Sequence, residues 1–293
     1  MFSGSIPALV TPFGDDGAFD ENAYRDFVEW QIAEGSNALV PCGTTGEAAT
    51  MTFEEHFRVV GVCVDQARGR VPVIAGAGSN DTRVACANVR AAKEAGVDAA
   101  LMVPPYYNRP NQDGIFRHFE AVVASCDLPI MLYNVPGRTV TDMAVETIGR
   151  LAHAFPQIVG IKDATGTIQR VSAQREAAGA GFCQLSGNDD MALAFNATGG
   201  VGCISVTANV APRLCAEFQA ACAAGDYAGA LDYQDRLFAL HVALFTDASP
   251  GPVKYAVARV RPDFPTALRL PMTWPGEASR AAVDAGLERA GLI

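Results

Sequence analysis

The chain has 293 residues, 49% of them hydrophobic, and carries 22 basic against 32 acidic side chains for a net charge of −10. That balance argues against a nucleic-acid partner or an anionic membrane surface, both of which need basic patches, and the apolar fraction excludes a disordered chain. At ~150 residues per domain two domains would fit, but barrels of alternating strands and helices reach ~250 residues as one unit.

Short β-prone runs recur along the whole first three quarters. The first, 6–10, leads into a helical stretch at 19–34 with Tyr24, Phe27, Val28 and Ile32 on one stripe. The second, 38–41, precedes a helix at 53–66, where Thr52 and Glu55 occupy capping-box positions. The pattern repeats as 71–75 with 81–95, 99–103 with 113–124, 129–133 with 142–155, 158–162 with 167–178, 182–186 with 189–197, and 201–205 with 210–223. Gly35, Gly69, Gly96 and Gly179 stand where helices end. Several strands are continuous apolar runs, as parallel strands covered by helices are. Eight such units predict an α/β fold of the closed (β/α)8 TIM-barrel type over residues 1–225. An open doubly wound sheet would carry GxGxxG after its first strand, and 7–14 has none. Residues 226–293 read as helices at 226–246, 251–260 and 276–290 without a strand, hence a C-terminal helical appendage.

No stretch approaches the ~18 apolar residues of a membrane span, and the N-terminal MFSGSIPALVTPF lacks the charge and apolar run of a secretion signal. The eight cysteines form no CxxC pair and none of the four histidines stands at ligand spacing to them. The expectation is buried free thiols, no metal and a cytoplasmic location.

In a barrel, chemistry gathers at the C-terminal ends of the strands. Basic residues are lopsided: nineteen Arg and three Lys, of which Lys162 alone lies on a predicted strand, while Lys93 ends a helix and Lys254 begins one of the appendage. Gly160 shares the face of Lys162 and leaves space beneath it. Desolvation at an apolar mouth favours the neutral amine, the form that attacks ketones to make a Schiff base. Tyr133 ends the neighbouring strand and can exchange protons there. Arg138, in the loop after Tyr133, offers a fork for a carboxylate. Gly43-Thr44-Thr45-Gly46-Glu47 lets amides and hydroxyls approach an anion. Pro104-Pro105-Tyr106-Tyr107 stiffens a loop holding two tyrosines. Ser186-Gly187-Asn188-Asp189 lies where barrels often bind phosphate, but no basic residue accompanies it.

In order and spacing, Gly43–Glu47, Pro105-Tyr106-Tyr107-Asn108-Arg109-Pro110, Tyr133-Asn134-Val135-Pro136-Gly137-Arg138-Thr139, Gly160-Ile161-Lys162-Asp163-Ala164-Thr165-Gly166 and Ser205–Val210 resemble the dihydrodipicolinate synthase branch of the pyruvate-dependent class I aldolase/lyase superfamily over the full length. The resemblance implies a Schiff base between Lys162 and pyruvate, Tyr133 as general acid/base, Thr44 as a bridging hydroxyl, and Tyr107 supplied by the neighbouring subunit of a homodimer or homotetramer. It gives Thr45 to the pyruvate carboxylate and Arg138 to the carboxylate of L-aspartate 4-semialdehyde, with Gly187 and the backbone carbonyl of Ile204 also facing the substrate. It implies lysine and diaminopimelate biosynthesis, with neither cofactor nor metal. Ala49, His56, Asn80 and Tyr106 match a lysine-effector site, from which Ala48, Phe53 and Val84 depart. The alternatives are a sister aldolase of the N-acetylneuraminate or 2-keto-3-deoxy acid type, whose usual loop differs from Pro-Gly-Arg-Thr, and a non-catalytic keto-acid-binding barrel.

Overall fold

The computed structural model describes residues 2–293. Seven parallel strands form one sheet: β1 (Gly4–Pro7), β2 (Ile74–Gly76), β3 (Ala99–Met102), β4 (Ile130–Asn134), β5 (Ile158–Asp163), β6 (Cys183–Ser186) and β7 (Gly202–Ser205), in the order β1-β7-β6-β5-β4-β3-β2. The predicted run at 38–41 is the closing eighth element, reduced to single bridges that join Val40 to Ala8 and Leu39 to Val73. Leu9 donates its N–H to the Val40 carbonyl at 2.9 Å, and Ile74 donates to Leu39 at 2.8 Å, so the barrel closes. This segment is short because Cys42 follows at once with φ of 54° and turns the chain away from the sheet.

Around the strands run α1 (Glu21–Ala33), α2 (Phe53–Ala67), α3 (Thr82–Glu94), α4 (Gln112–Ser125), the single turn α5 (Pro136–Thr139), α6 (Val145–Ala154), α7 (Gln169–Ala178), α8 (Ala192–Ala197) and α9 (Pro212–Ala223). Side-chain caps set several starts: Asp20 accepts the Ala23 N–H at 3.0 Å, Thr52 that of Glu55 at 3.2 Å and Asn111 that of Gly114 at 2.9 Å. The helix expected at 189–197 opens instead as a 3-10 turn at Asp189–Met191, and the one expected from Asp142 starts at Val145. In each case an acid is occupied elsewhere: Asp142 accepts from the Asn134 amide at 2.7 Å, and Asp189 reaches back to β7.

The period of two along the strands divides the core. Ile6, Ala99, Leu101, Met131, Tyr133, Leu185 and Ile204 fill the barrel interior. Ala100, Met102, Ile130, Leu132 and Ile161 face outward into a larger core shared with the helices. That outer core also takes in Leu237, Leu240, Val253, Val257 and Leu287 of the C-terminal helices α10 (Tyr227–Ala243), α11 (Gly251–Val260) and α12 (Glu277–Ala290), and the Phe264 ring packs tilted against Phe27, 5.0 Å centre to centre. The cysteines are all free. Burial pushes the Cys63 thiol up to about 12 and Cys183 up to about 11, which leaves them unreactive.

Candidate active site

β4 and β5 set the centre. Tyr133 and Lys162 are paired in register, past an irregularity between Ile130 and Met131. The Lys162 amine lies over the Tyr133 ring, 4.3 Å from its centre. Lys162 is 5% exposed and has no carboxylate partner among the described residues. The strand ends are braced from behind. Asp163 accepts from Arg170 at 3.2 Å and Gln174 at 2.6 Å. The Asn134 side-chain oxygen takes the Met143 N–H at 3.1 Å. Asp189 accepts the Val206 N–H at 2.9 Å and the Ser205 hydroxyl.

Two glycines have different uses here. A Cβ on Gly160 would overlap the Cys183 carbonyl oxygen, so that glycine admits β6 beside β5 rather than making room for the lysine, as the sequence reading had it. A Cβ on Gly187 would stand 3.1 Å from Lys162 Cε. It is this second glycine, brought over by a 2.7 Å bond from its N–H to the Asp163 carbonyl, that leaves the lysine its path.

Lys162 and Tyr133 line a cavity of about 630 Å³, together with Thr44, Thr45 and Arg138. Thr45 is buried and Thr44 exposed at the turn after the 38–41 segment. Arg138 sits not in an open loop but in α5, fixed by Pro136 at its first turn. It is exposed and makes no ion pair among the described residues. Ile204 lies in the barrel interior, paired with Ile6. Tyr107 is not brought in: it has φ of 69°, is 91% exposed and does not line the cavity. The cavity continues outward past Ala49, His56, Val84 and Tyr106, while Asn80 stands outside it with its carbonyl taking the Asn108 amide at 2.9 Å. His56 donates Nε2–H to the Gly76 carbonyl at 2.8 Å, and burial lowers its pKa, so its ring is neutral near neutral pH. Among the described residues no three His, Cys, Asp or Glu side chains converge to hold a metal ion.

A sequence model of the dihydrodipicolinate synthetase family matches residues 1–290. The chain belongs to that family. It is 70% identical to a 4-hydroxy-tetrahydrodipicolinate synthase of Rhizorhabdus wittichii and 61% identical to one of Zymomonas mobilis, each match covering 100% of both chains. Among solved structures it superposes with a TM-score of 0.97 on the chloride-inhibited dihydrodipicolinate synthase of Acinetobacter baumannii complexed with pyruvate, at 42% identity and over 100% of both chains. The expected TIM-barrel class therefore holds. The full-length agreement with synthases makes the chain an enzyme of the lyase class and favours 4-hydroxy-tetrahydrodipicolinate synthesis over sugar-acid cleavage.

The sequence reading missed one buried group beside this family's site. Lys254 on α11 is wholly buried, its amine 2.6 Å from the Glu47 carboxylate. Burial pulls its pKa below the usual lysine value, against the opposing pull of Glu47. A lysine between Val253 and Tyr255 in an otherwise apolar helix start was the available signal, and the run of GTTG already ended in an acid. Spacing gave no reason to join residues so far apart.

Proposed function

We propose that the chain condenses pyruvate with L-aspartate 4-semialdehyde to 4-hydroxy-tetrahydrodipicolinate through a Schiff base on Lys162. The observation that carries this reading is a buried amine without a counter-ion, in register with a tyrosine, on the floor of a cavity that also presents Thr45 and Arg138. The neutral amine adds to the ketone carbon, and Tyr133 passes a proton to the departing hydroxyl so that water leaves. Loss of a methyl proton gives an enamine, whose carbon adds to the aldehyde. The amine of the semialdehyde then attacks the imine carbon, closes the ring and releases Lys162. The lysine nitrogen is the electron sink throughout, so the chemistry calls for neither cofactor nor metal.

Thr45 and the amides of its turn hold the pyruvate carboxylate, aided by Gly187 and the Ile204 carbonyl. Arg138 receives the carboxylate of the second substrate, a role its unpaired guanidinium fits. Thr44 bridges Tyr133 to Tyr107 of a second copy. The outward, left-handed Tyr107 supports this, because a ring that cannot serve its own barrel is free to serve another. The working unit is then at least a dimer. In this reading residues 1–225 carry the chemistry and 226–293 support it. No helix among the described residues is long and apolar enough to cross a membrane. Borohydride reduction with pyruvate and peptide mapping tests the reading: trapping at Lys162, absent in Lys162→Ala, is expected. Turnover of a sugar acid in place of the semialdehyde would move the chain to the sister aldolases.

A further inference from the structure

The Thr44–Thr45 turn is held from behind by groups that never touch the cavity. Glu47 ends the turn at φ of 58°, a backbone region that ordinarily selects glycine or asparagine. Its N–H donates to the Thr44 carbonyl at 3.1 Å, Gly46 donates to Gly43 at 3.1 Å, and the Thr11 hydroxyl donates to the Gly46 carbonyl at 2.8 Å. The Glu47 side chain points away from the substrate space. One oxygen meets the Lys254 amine at 2.6 Å, and the other accepts the Arg269 backbone N–H at 3.0 Å. Lys254 also donates to the Ala267 carbonyl at 2.7 Å and lies over the Phe13 ring, 4.5 Å from its centre. Arg269 continues the grip by donating to the Thr50 carbonyl at 3.3 Å and pairing with Glu55 at 2.5 Å.

Both side chains of the pair are sealed from solvent, Lys254 at 0% and Glu47 at 1% exposure. Burying two charges is a poor source of stability, and its best-attested use is to fix one arrangement among alternatives. Here the arrangement fixed is that of the turn. We propose that Glu47 and Lys254 are positioning residues, a clamp by which α11 and the 267–269 segment set the Thr44–Thr45 turn for the carboxylate of the keto acid. The inference rests on the reading of Thr45 as the carboxylate site. It makes the C-terminal helices part of substrate binding.

The test compares Glu47→Gln, Lys254→Met and their double variant with the full-length wild-type enzyme. Two quantities are read: the pyruvate concentration that half-saturates borohydride trapping at Lys162, and hydrogen exchange of the peptide spanning 43–50. Lys254→Met strands a buried carboxylate, so half-saturation should rise about ten-fold or more while the maximal trapping rate stays within about three-fold, and the 43–50 peptide should lose protection. Glu47→Gln should move both readouts in the same direction by less, since Lys254 then sheds its charge; it also decides the matter if Lys254→Met does not fold. The double variant leaves no buried charge stranded and should recover thermal stability, but without the pair its half-saturation should stay raised about ten-fold and its 43–50 peptide should stay deprotected. Unchanged half-saturation and exchange in both single variants would overturn the clamp, as would a double variant that matches wild type in both readouts. If wild-type enzyme is not trapped by pyruvate, the proposed function fails instead, and the exchange of the turn still decides the clamp.

Discussion

Gly187→Ala is the smallest change that tests whether Lys162 reaches the substrate past this glycine. A Cβ at this position would lie 2.6 Å from the Ala164 Cβ and 3.1 Å from Lys162 Cε. Carbon atoms rest at about 3.5–4.0 Å, so the new methyl overlaps Ala164 by about 1 Å and the lysine by about half as much. Ala164 is tied to the Asn134 carbonyl through its N–H at 2.9 Å, at the end of the β4–β5 ladder. The lysine is the softer neighbour and swings away from the cavity. Overpacking of this size costs about 1–3 kcal/mol of stability. A nucleophile displaced by about 1 Å loses on the order of 100-fold in rate. Single-turnover trapping with pyruvate and borohydride reads that rate directly, and a thermal melt reads the stability. A Gly187→Ala enzyme that is trapped at the wild-type rate would show that the lysine's path does not run past this glycine.

Three further outcomes follow from separate features. His118 is 3% exposed, 2.9 Å from the Thr82 hydroxyl, and burial holds its pKa down to about 4. The unfolded chain takes up this proton near 6.5 and the folded one only near 4, so stability is lost as pH falls through that window. The gap is worth about 3 kcal/mol; denaturant melts of His118→Leu should show that much less acid sensitivity than wild type, and parallel pH profiles would refute the assignment. Arg138→Ala should raise the KM for the semialdehyde about 10- to 100-fold, the worth of a charge-assisted pair, with pyruvate half-saturation unchanged; a change in pyruvate alone would reverse the assignment. Val84 lines the outer cavity, and none of the described residues lining that cavity is an acid that could meet an ammonium group, so lysine should inhibit weakly or not at all, and strong inhibition at sub-millimolar lysine would contradict that.

The local pattern of the chain determined a good deal. Alternation of apolar strand runs with capped helices announced the barrel, because burial on a strand has a period of two and on a helix 3.6, and both are written in consecutive residues. Lys162 could be singled out because it closes an apolar strand, and Tyr133 because its strand is the preceding one. The 38–41 run was legible as a strand by composition, yet it survives only as bridges, since the backbone of Cys42 obeys the turn that follows rather than the sheet.

What tertiary structure alone decided concerns groups distant in sequence. Gly160 and Gly187 look alike as letters, and only the position of β6 shows that one makes room for a backbone and the other for the lysine. Tyr106 and Tyr107 are neighbours, but one lines the cavity and the other stands outside it, 91% exposed. Lys254 read as the start of an outer helix, and it is more deeply buried than Lys162. A charge is tolerated inside a protein only beside its compensating partner. That partner, Glu47, is set by the closing of the barrel against its last helices and by nothing in the spacing of either segment.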